Sequence, residues 1–474
     1  MTNQLPVLEP EDRVLSTLES DGSRRWLYPR LAKGRFWAWR RVVAYALIAL
    51  YALLPFIAIG GKPAILLDLP NREFTFFGFT FLPTDTVLLA VFVVMLFLGI
   101  FFVTAIAGRV WCGWACPQTV YLEFVFRPIE RFFSGRAGKG GAPDRKVAGP
   151  WRALMYLAYF LVCLHLANVF LAYFVGAEQL HRWIWSSSPW KHPGPFALVA
   201  FITALMMFDF CYWREQLCII GCPYGRFQSV MLDRSSAIIG YDERRGEPRG
   251  RGRDRAAAGL GDCVDCSMCV AVCPTGIDIR DGLQLECVGC AQCIDACDAV
   301  MQKVGLPQGL IRYSSQSALA GRPIRVLRPR VVAYAAIIFL LAGAFVTMIA
   351  TKSPFDVDTL RNVGRPYRTT ESGLNENTFR LILENRTHDP HTYSIAVEDP
   401  ASVEIAGGPL RLSLEPRERI TEPLRLLTSP SAFRRGELAV TILVTDDGGN
   451  RQTHRMRLIG DVAPPTAADE GESP

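Results

Sequence analysis

Five apolar stretches limit what this chain can become: residues 42–59, 86–107, 153–175, 196–213 and 331–350. Each is close to the roughly 17–25 residues that a helix needs to cross hydrocarbon. Half of the 474 residues are hydrophobic although 20% are charged. Buried core helices of a water-soluble protein do not account for five such segments, so the pattern predicts a polytopic α-helical membrane protein with five spans. Asp209 lies near the end of the fourth stretch. An ionisable group in a span is functional by default, and an interfacial ion pair with Arg214 is the other account of it.

Basic residues are placed unevenly. Arg13, Arg24, Arg25, Arg30, Lys33, Arg35, Arg40 and Arg41 precede the first stretch, and the loop between the second and third is equally basic. Residues 60–85 carry only Lys62 and Arg72, and residues 176–195 only Arg182 and Lys191. Positive charge stays inside, so the N-terminus and the segment before the fifth stretch are expected in the cytoplasm of a bacterial inner membrane. An odd number of spans then exports the C-terminus to the periplasm. A charged leader of more than 40 residues before a full-length apolar stretch predicts no cleavable signal peptide. The run Arg244, Arg245, Arg249, Arg251, Arg253 and Arg255 lacks interleaved aromatics. It reads as a solvated linker over anionic headgroups rather than a nucleic-acid patch.

Twelve of the fourteen cysteines fall in short motifs. Cys263-x2-Cys266-x2-Cys269-x3-Cys273-Pro274 is the bacterial ferredoxin pattern, and Cys287-x2-Cys290-x2-Cys293-x3-Cys297 repeats it with Asp298 in place of the proline. Such runs predict two 4Fe–4S clusters, the fourth cysteine of each run crossing to the other cluster. Cys263, Cys266, Cys269 and Cys297 then hold one cluster, and Cys287, Cys290, Cys293 and Cys273 the other. Zinc sites usually come as two Cys-x2-Cys pairs separated by a longer loop, which this is not. No cysteine lies after the fifth stretch, so a disulfide framework is excluded there.

A second constellation sits at helix ends. Cys112-x3-Cys116-Pro117 follows the second stretch, and Cys218-x3-Cys222-Pro223 follows the fourth. On a continuous helix the i and i+4 sulfurs share a face, and each proline tends to stop the helix before it. Thiolate-rich sites favour Cu(I), zinc and Fe–S, so copper redox chemistry is one reading. Packed free cysteines and a reversible dithiol–disulfide pair are the others. Cys211, seven residues before Cys218, would share its stripe on a continuous helix. His165 is the lone histidine inside a stretch, which argues against a bis-histidine haem.

After residue 374 short alternating runs at 378–384, 393–397, 410–414 and 437–445 are separated by turn-rich clusters. They predict a β-sandwich of about seven strands. The chain thus divides into a cytoplasmic segment (1–41), a membrane region with four helices and a linker (42–255), a ferredoxin-like insert (256–310), the fifth helix (331–350), a β-domain (358–461) and a Pro/Ala/acidic tail (462–474) expected to be disordered.

The blocks WCGWACPQTV (111–120), LCIIGCPYGRFQ (217–228) and LECVGCAQCIDACD (285–298) closely resemble the CcoG family, also called FixG or RdxA. The resemblance runs over nearly the whole chain. It implies an immunoglobulin-like C-terminal domain and the reduction of Cu(II) to Cu(I) for copper-centre assembly of cbb-type cytochrome c oxidase. Oxidase subunits and copper-delivery proteins are the partners it implies; the electron donor is left open. On that reading Cys112, Cys116, Cys218 and Cys222 hold the copper. Competing readings are a quinol dehydrogenase-like electron carrier and a non-catalytic assembly scaffold.

Overall fold

The computed structural model describes residues 16–18, 21–59, 62–70, 73–77, 79–81, 86–135, 147, 149–186, 189–251, 259–351, 353–362, 364–387, 389–398 and 403–461. The tail at 462–474, the leader at 1–15, residues 136–146 of the second loop and residues 252–258 of the arginine run lie outside the described residues. Two compact units divide the chain, Met1–Val346 and Thr347–Pro474.

Among the described residues five helices are long and apolar enough to cross a membrane: Arg35–Phe56, Thr86–Ala107, Pro150–Val175, Pro193–Trp213 and Pro329–Ala350. Their apolar side chains are largely uncovered, Phe339 and Leu340 of the fifth among them. Such surface is stable only with lipid as solvent. Three of the helices open on proline at the first turn, where its missing N–H costs nothing.

The first helix begins at Arg35, ahead of the apolar stretch at 42. Its opening amides explain this: the Phe36 and Trp37 N–H groups donate to the Asp295 carboxylate at 3.1 and 2.7 Å. Asp295 lies between two cluster-type cysteines, so the cysteine-rich insert itself caps the first span. Arg40, one of the basic residues ahead of the apolar stretch, is 1% exposed, and its Nε donates to the Gly113 carbonyl at 2.8 Å.

The cysteine-bearing segment is closed by a two-stranded antiparallel ribbon in which Ile238–Tyr241 pairs with Ile311–Ser314. These strands flank residues 256–310 on both sides, so the chain enters and leaves the insert at one place. Asp298 sits inside the helix Gln292–Val304, where a proline would break the ladder. Its carboxylate instead accepts from the Gly309 amide at 2.9 Å. That accounts for the departure from the first run. The segment between the first two spans holds a small antiparallel sheet, Ile65–Asp68, Glu73–Phe76 and Phe79–Phe81, that its sequence did not announce.

The second unit is a sandwich of two antiparallel sheets. One runs Val403–Ile405, Arg419–Thr428, Asn375–Asn385, Phe355–Arg361; the other runs Leu410–Leu414, His391–Val397, Glu437–Asp446, Arg451–Ile459. Along Asn375–Asn385 every second residue is buried, the period of a half-buried strand. Phe379, Leu381 and Leu383 face Ile395, Ile442 and Leu458 across one apolar core.

A buried charge network ties the helix ends nearest the cysteine-rich insert together. Arg214 makes a bidentate pair with Glu130 (3.1 and 2.9 Å), Arg127 pairs with Glu123 and reaches Glu215 at 3.4 Å, and Arg24 meets Glu215 at 3.3 Å. Arg127 also donates to the Pro274 carbonyl at 3.4 Å, linking the network to the first cysteine run. Removing one partner of a buried pair strands the other charge and costs about 3–5 kcal/mol. Arg127→Ala is therefore expected to lower thermal stability of the full-length protein by about that much in detergent, measured by circular dichroism.

Candidate redox site

Eight cysteines of the two runs are sorted into two cavities. One is lined by Cys263, Cys266, Cys269 and Cys297. The other is lined by Cys273, Cys287, Cys290 and Cys293, with Cys269 on the border of both. The fourth cysteine of each run thus faces the other run's cavity. Pro274 turns the chain after Cys273, while the helix Gln292–Val304 carries Cys297 back toward the first run.

Among the described residues no three of His, Cys, Asp and Glu converge as ligands of a single ion. A cubane takes one thiolate at each iron corner, so its ligands stand around a cavity instead of meeting at a point. The two four-cysteine cavities fit that requirement and do not fit mononuclear zinc.

The helix-end cysteines are built alike. Cys112 lies in the helix Val110–Trp114, Ala115 ends it, and Cys116 is extended (φ −61°, ψ 126°) ahead of the helix Pro117–Tyr121. Cys218 lies in the π-turn Leu217–Gly221, and Cys222 is extended (φ −83°, ψ 107°) ahead of the helix Pro223–Met231. The i,i+4 face expected of each pair does not form, because the residue before a proline is pushed out of the helical region. Each pair straddles a backbone break.

The two groups of cysteines meet. Cys112, Val288 and Cys290 form one buried cluster, with Cys218 and Tyr224 packed against it. The approach depends on glycine: a Cβ on Gly113 would lie 2.6 Å from the Gly289 carbonyl oxygen. Gly289 itself has a φ of +71°, a conformation that favours glycine. Trp114 donates to the Tyr313 hydroxyl at 2.9 Å, which donates to the Gly289 carbonyl at 2.8 Å.

These features have counterparts in known proteins. Residues 213–316 match the 4Fe–4S dicluster domain family, and residues 89–139 match a 4Fe–4S binding domain family. Residues 345–461 match the family described as the IG-like fold at the C-terminus of FixG, a candidate oxidoreductase. The nitrogen fixation protein FixG of Rhizobium meliloti is 32% identical over 433 residues, covering 81% of this chain and 82% of that one. RdxB of Cereibacter sphaeroides is 34% identical over 425 residues, covering 84% and 86%. The chain belongs to the FixG/RdxA/RdxB family. A crystal structure of a FixG-related protein from Vibrio parahaemolyticus is 20% identical and covers 23% of this chain and all of that one, with a TM-score of 0.22. The chain is a multi-pass membrane iron–sulfur protein with an IG-like β-domain.

Two readings that the sequence leaves open are narrowed in this FixG-family chain: Cys211 packs rather than sharing the stripe of Cys218, and one account of Asp209 falls away. Arg214 adopts φ +52°, which ends the fourth helix, so Cys211 and Cys218 share no stripe. Cys211 packs instead with Cys163, Phe210 and Tyr159. Asp209 does not pair with Arg214; its carboxylate accepts from the Gln118 amide at 3.2 Å. Residues around Cys112 that the motifs alone did not single out are Arg109, whose guanidinium is 4.0 Å from its sulfur, and Gln228, whose carbonyl accepts from the thiol at 3.0 Å. Gln228 stands in the 217–228 block, so its position was in view while its role was not.

Burial governs the electrostatics. It pushes the Cys269 and Cys297 thiols up to about 12 and the Cys287 and Cys290 thiols up to about 11. Burial, then the neighbouring thiols, pushes Cys218 up to about 12; burial also raises Cys112 and Cys116. These sulfurs stay protonated near neutrality unless a cation takes the place of the proton. In metal-free protein the Cys218 alkylation rate is expected to climb about tenfold per pH unit from pH 7 to 10, following its thiolate fraction. Mass spectrometry after iodoacetamide treatment measures it; a plateau below pH 9 contradicts the raised thiol.

Proposed function

We propose that this protein is a cupric reductase of the bacterial inner membrane, serving copper-centre assembly of a cbb-type cytochrome c oxidase. Copper is its substrate: Cu(II) takes up one electron and leaves as Cu(I). Cys112, Cys116, Cys218 and Cys222 bind it. The eight ferredoxin-type cysteines hold two 4Fe–4S clusters, in the sets Cys263/Cys266/Cys269/Cys297 and Cys287/Cys290/Cys293/Cys273, which supply single electrons. The buried cluster that Cys112 shares with Val288 and Cys290 carries this assignment. It packs one cysteine of the copper group into the same apolar cluster as one cysteine of a cluster cavity.

The surrounding residues suit the task. Copper binding displaces protons from raised thiols, and Arg109 beside Cys112 offsets the thiolate charge that results. Soft thiolates favour Cu(I) over Cu(II), so ligation pulls the reaction forward. The basic loops support an N-terminus and clusters in the cytoplasm and a periplasmic β-domain, on the side from which oxidase subunits and copper-delivery proteins would be reached.

Anaerobically purified protein is expected to contain eight irons per chain and to reduce Cu(II) when charged with dithionite, read with a Cu(I)-specific chelator. Cys112→Ser and Cys218→Ser are expected to abolish the reaction at unchanged iron content. Undiminished reduction by both variants sinks the copper site, and twelve irons per chain would assign the four thiols to a third cluster instead. Gly113→Ala, which drives the 288–289 backbone away from Cys112, is expected to slow reduction without loss of iron.

A further inference from the structure

Two arginines lie buried where the cysteine-rich insert meets the helix ends. Arg40 of the first span is 1% exposed, and Arg109, just past the second, is 7% exposed. Arg40 donates to the Gly113 carbonyl at 2.8 Å and sits 5.5 Å from the Phe124 ring, leaving its Nη2 without a partner. Arg109 donates to the Leu285 carbonyl, lies 4.0 Å from the Cys112 sulfur and leaves its Nε without a partner. Neither pairs with a carboxylate among the described residues, whereas Arg24, Arg127 and Arg214 each have a glutamate beside them. A buried charge without a counter-charge is costly. The anion that offsets these two is to be sought in the cavity they adjoin.

Both charges act on the cavity of the second cysteine run. Burial raises the Cys290 thiol, and the charge that opposes burial there is Arg40. Burial is also the largest effect at Cys287, where the Gly289 amide and Arg109 oppose it and the half-buried Glu286 adds to it. The cavity of the first run has the reverse balance. Arg280 is shared between Asp265 at 2.7 Å and Asp278 at 2.9 Å, so one cation meets two carboxylates. Burial raises Cys269, and Asp278 reinforces it more than Arg280 opposes it. At Cys297 burial is followed by Cys269 and Asp298, which act in the same direction.

A 4Fe–4S group with four thiolates is an anion, and reduction adds one more negative charge. Its potential follows nearby charge, hydrogen bonding and solvent access. Cys266 is exposed, so water favours reduction in the first cavity, and burial alone would make the second the harder to reduce. Two unpaired guanidiniums reverse that order, because charges act more strongly in a buried, low-dielectric region than at a wet edge. We propose that Arg40 and Arg109 are the counter-charges of the group held by Cys273, Cys287, Cys290 and Cys293, and that they set its reduction potential above that of the group held by Cys263, Cys266, Cys269 and Cys297. This rests on the two-cluster part of the cupric reading and adds a direction to it. The electron settles in the cavity whose Cys290 shares a buried cluster with Cys112.

The test uses full-length, anaerobically purified protein titrated with dithionite and mediators, read by low-temperature EPR, with iron counted on each sample. Wild type is expected to show two reducible components of different midpoint potential. Cys290→Ser is expected to alter the higher one and Cys266→Ser the lower. Arg40→Gln keeps a donor for the Gly113 carbonyl and removes the charge. It is expected to cut the reduced-to-oxidised ratio of the higher component about tenfold at fixed potential, a fall of about 59 mV, and to leave the lower component in place. Arg40→Lys is expected to restore most of the potential, and Arg109→Gln to act in the same direction as Arg40→Gln. Lower thermal stability with unmoved potentials in both glutamine variants makes the arginines mere tethers and overturns the assignment. So does a higher component that answers to Cys266→Ser. Where Arg40→Gln loses iron, Arg109→Gln and the wild-type order decide alone. Wild type with fewer than eight irons overturns the two-cluster reading as well. Eight irons with the expected shifts and no Cu(II) reduction uphold the arginines and remove the cupric reading alone.

Discussion

The approach of Gly113 to Gly289 is the contact on which the redox architecture depends. A single methyl group there collides with backbone, not with a side chain that could swing aside. Three other ties hold the same junction: Arg40 to the Gly113 carbonyl, Arg109 to the Leu285 carbonyl, and Trp114 through Tyr313 to the Gly289 carbonyl. The Asp295 cap adds a fourth from the side of the first span. The cysteine-rich insert is therefore not tethered to the membrane helices by its linkers alone. It is part of how those helices begin and end.

The charge network beneath that junction is a costly way to join helices. Three arginines and three glutamates leave water, and their mutual attraction repays desolvation only when geometry is good. Apolar residues could have filled the volume as cheaply. What the ions add is direction: the bidentate Arg214–Glu130 pair fixes where the fourth helix stops, and Arg127 holds the Pro274 turn from which Cys273 faces its cavity. A greasy contact at this depth would tolerate sliding; a guanidinium fork does not.

The helices and cysteine runs were legible in the sequence because their signals are local. Hydrocarbon thickness sets span length, and a cubane sets cysteine spacing; neither needs the rest of the fold to be read. The second span, at Thr86–Ala107, coincides with its apolar stretch for that reason. The helix-end pairs were half legible. The prolines announced a break, but the i,i+4 geometry placed the pairs on one helix, whereas Pro117 and Pro223 force Cys116 and Cys222 into extended backbone. What could not be read were contacts between distant segments. The cap from Asp295 to Phe36 spans 259 positions, and the bond from Gln228 to Cys112 spans 116. Composition carries no trace of either.

The same backbone breaks separate two kinds of thiol site. In the insert, cysteines arrive on tight loops and surround two cavities, four thiols to each. At the helix ends, the four thiols come from a short helix, a π-turn and two extended residues, so no one rigid element sets their spacing. Cys112 is tied to Gln228, and Cys222 accepts from its own helix amide at Gly225. Each of those bonds gives way when a cation displaces the proton or reorients the sulfur. Cys112 and Cys290 share one buried cluster, so the loosely held helix-end thiols and the cysteines of the insert meet inside the packed protein.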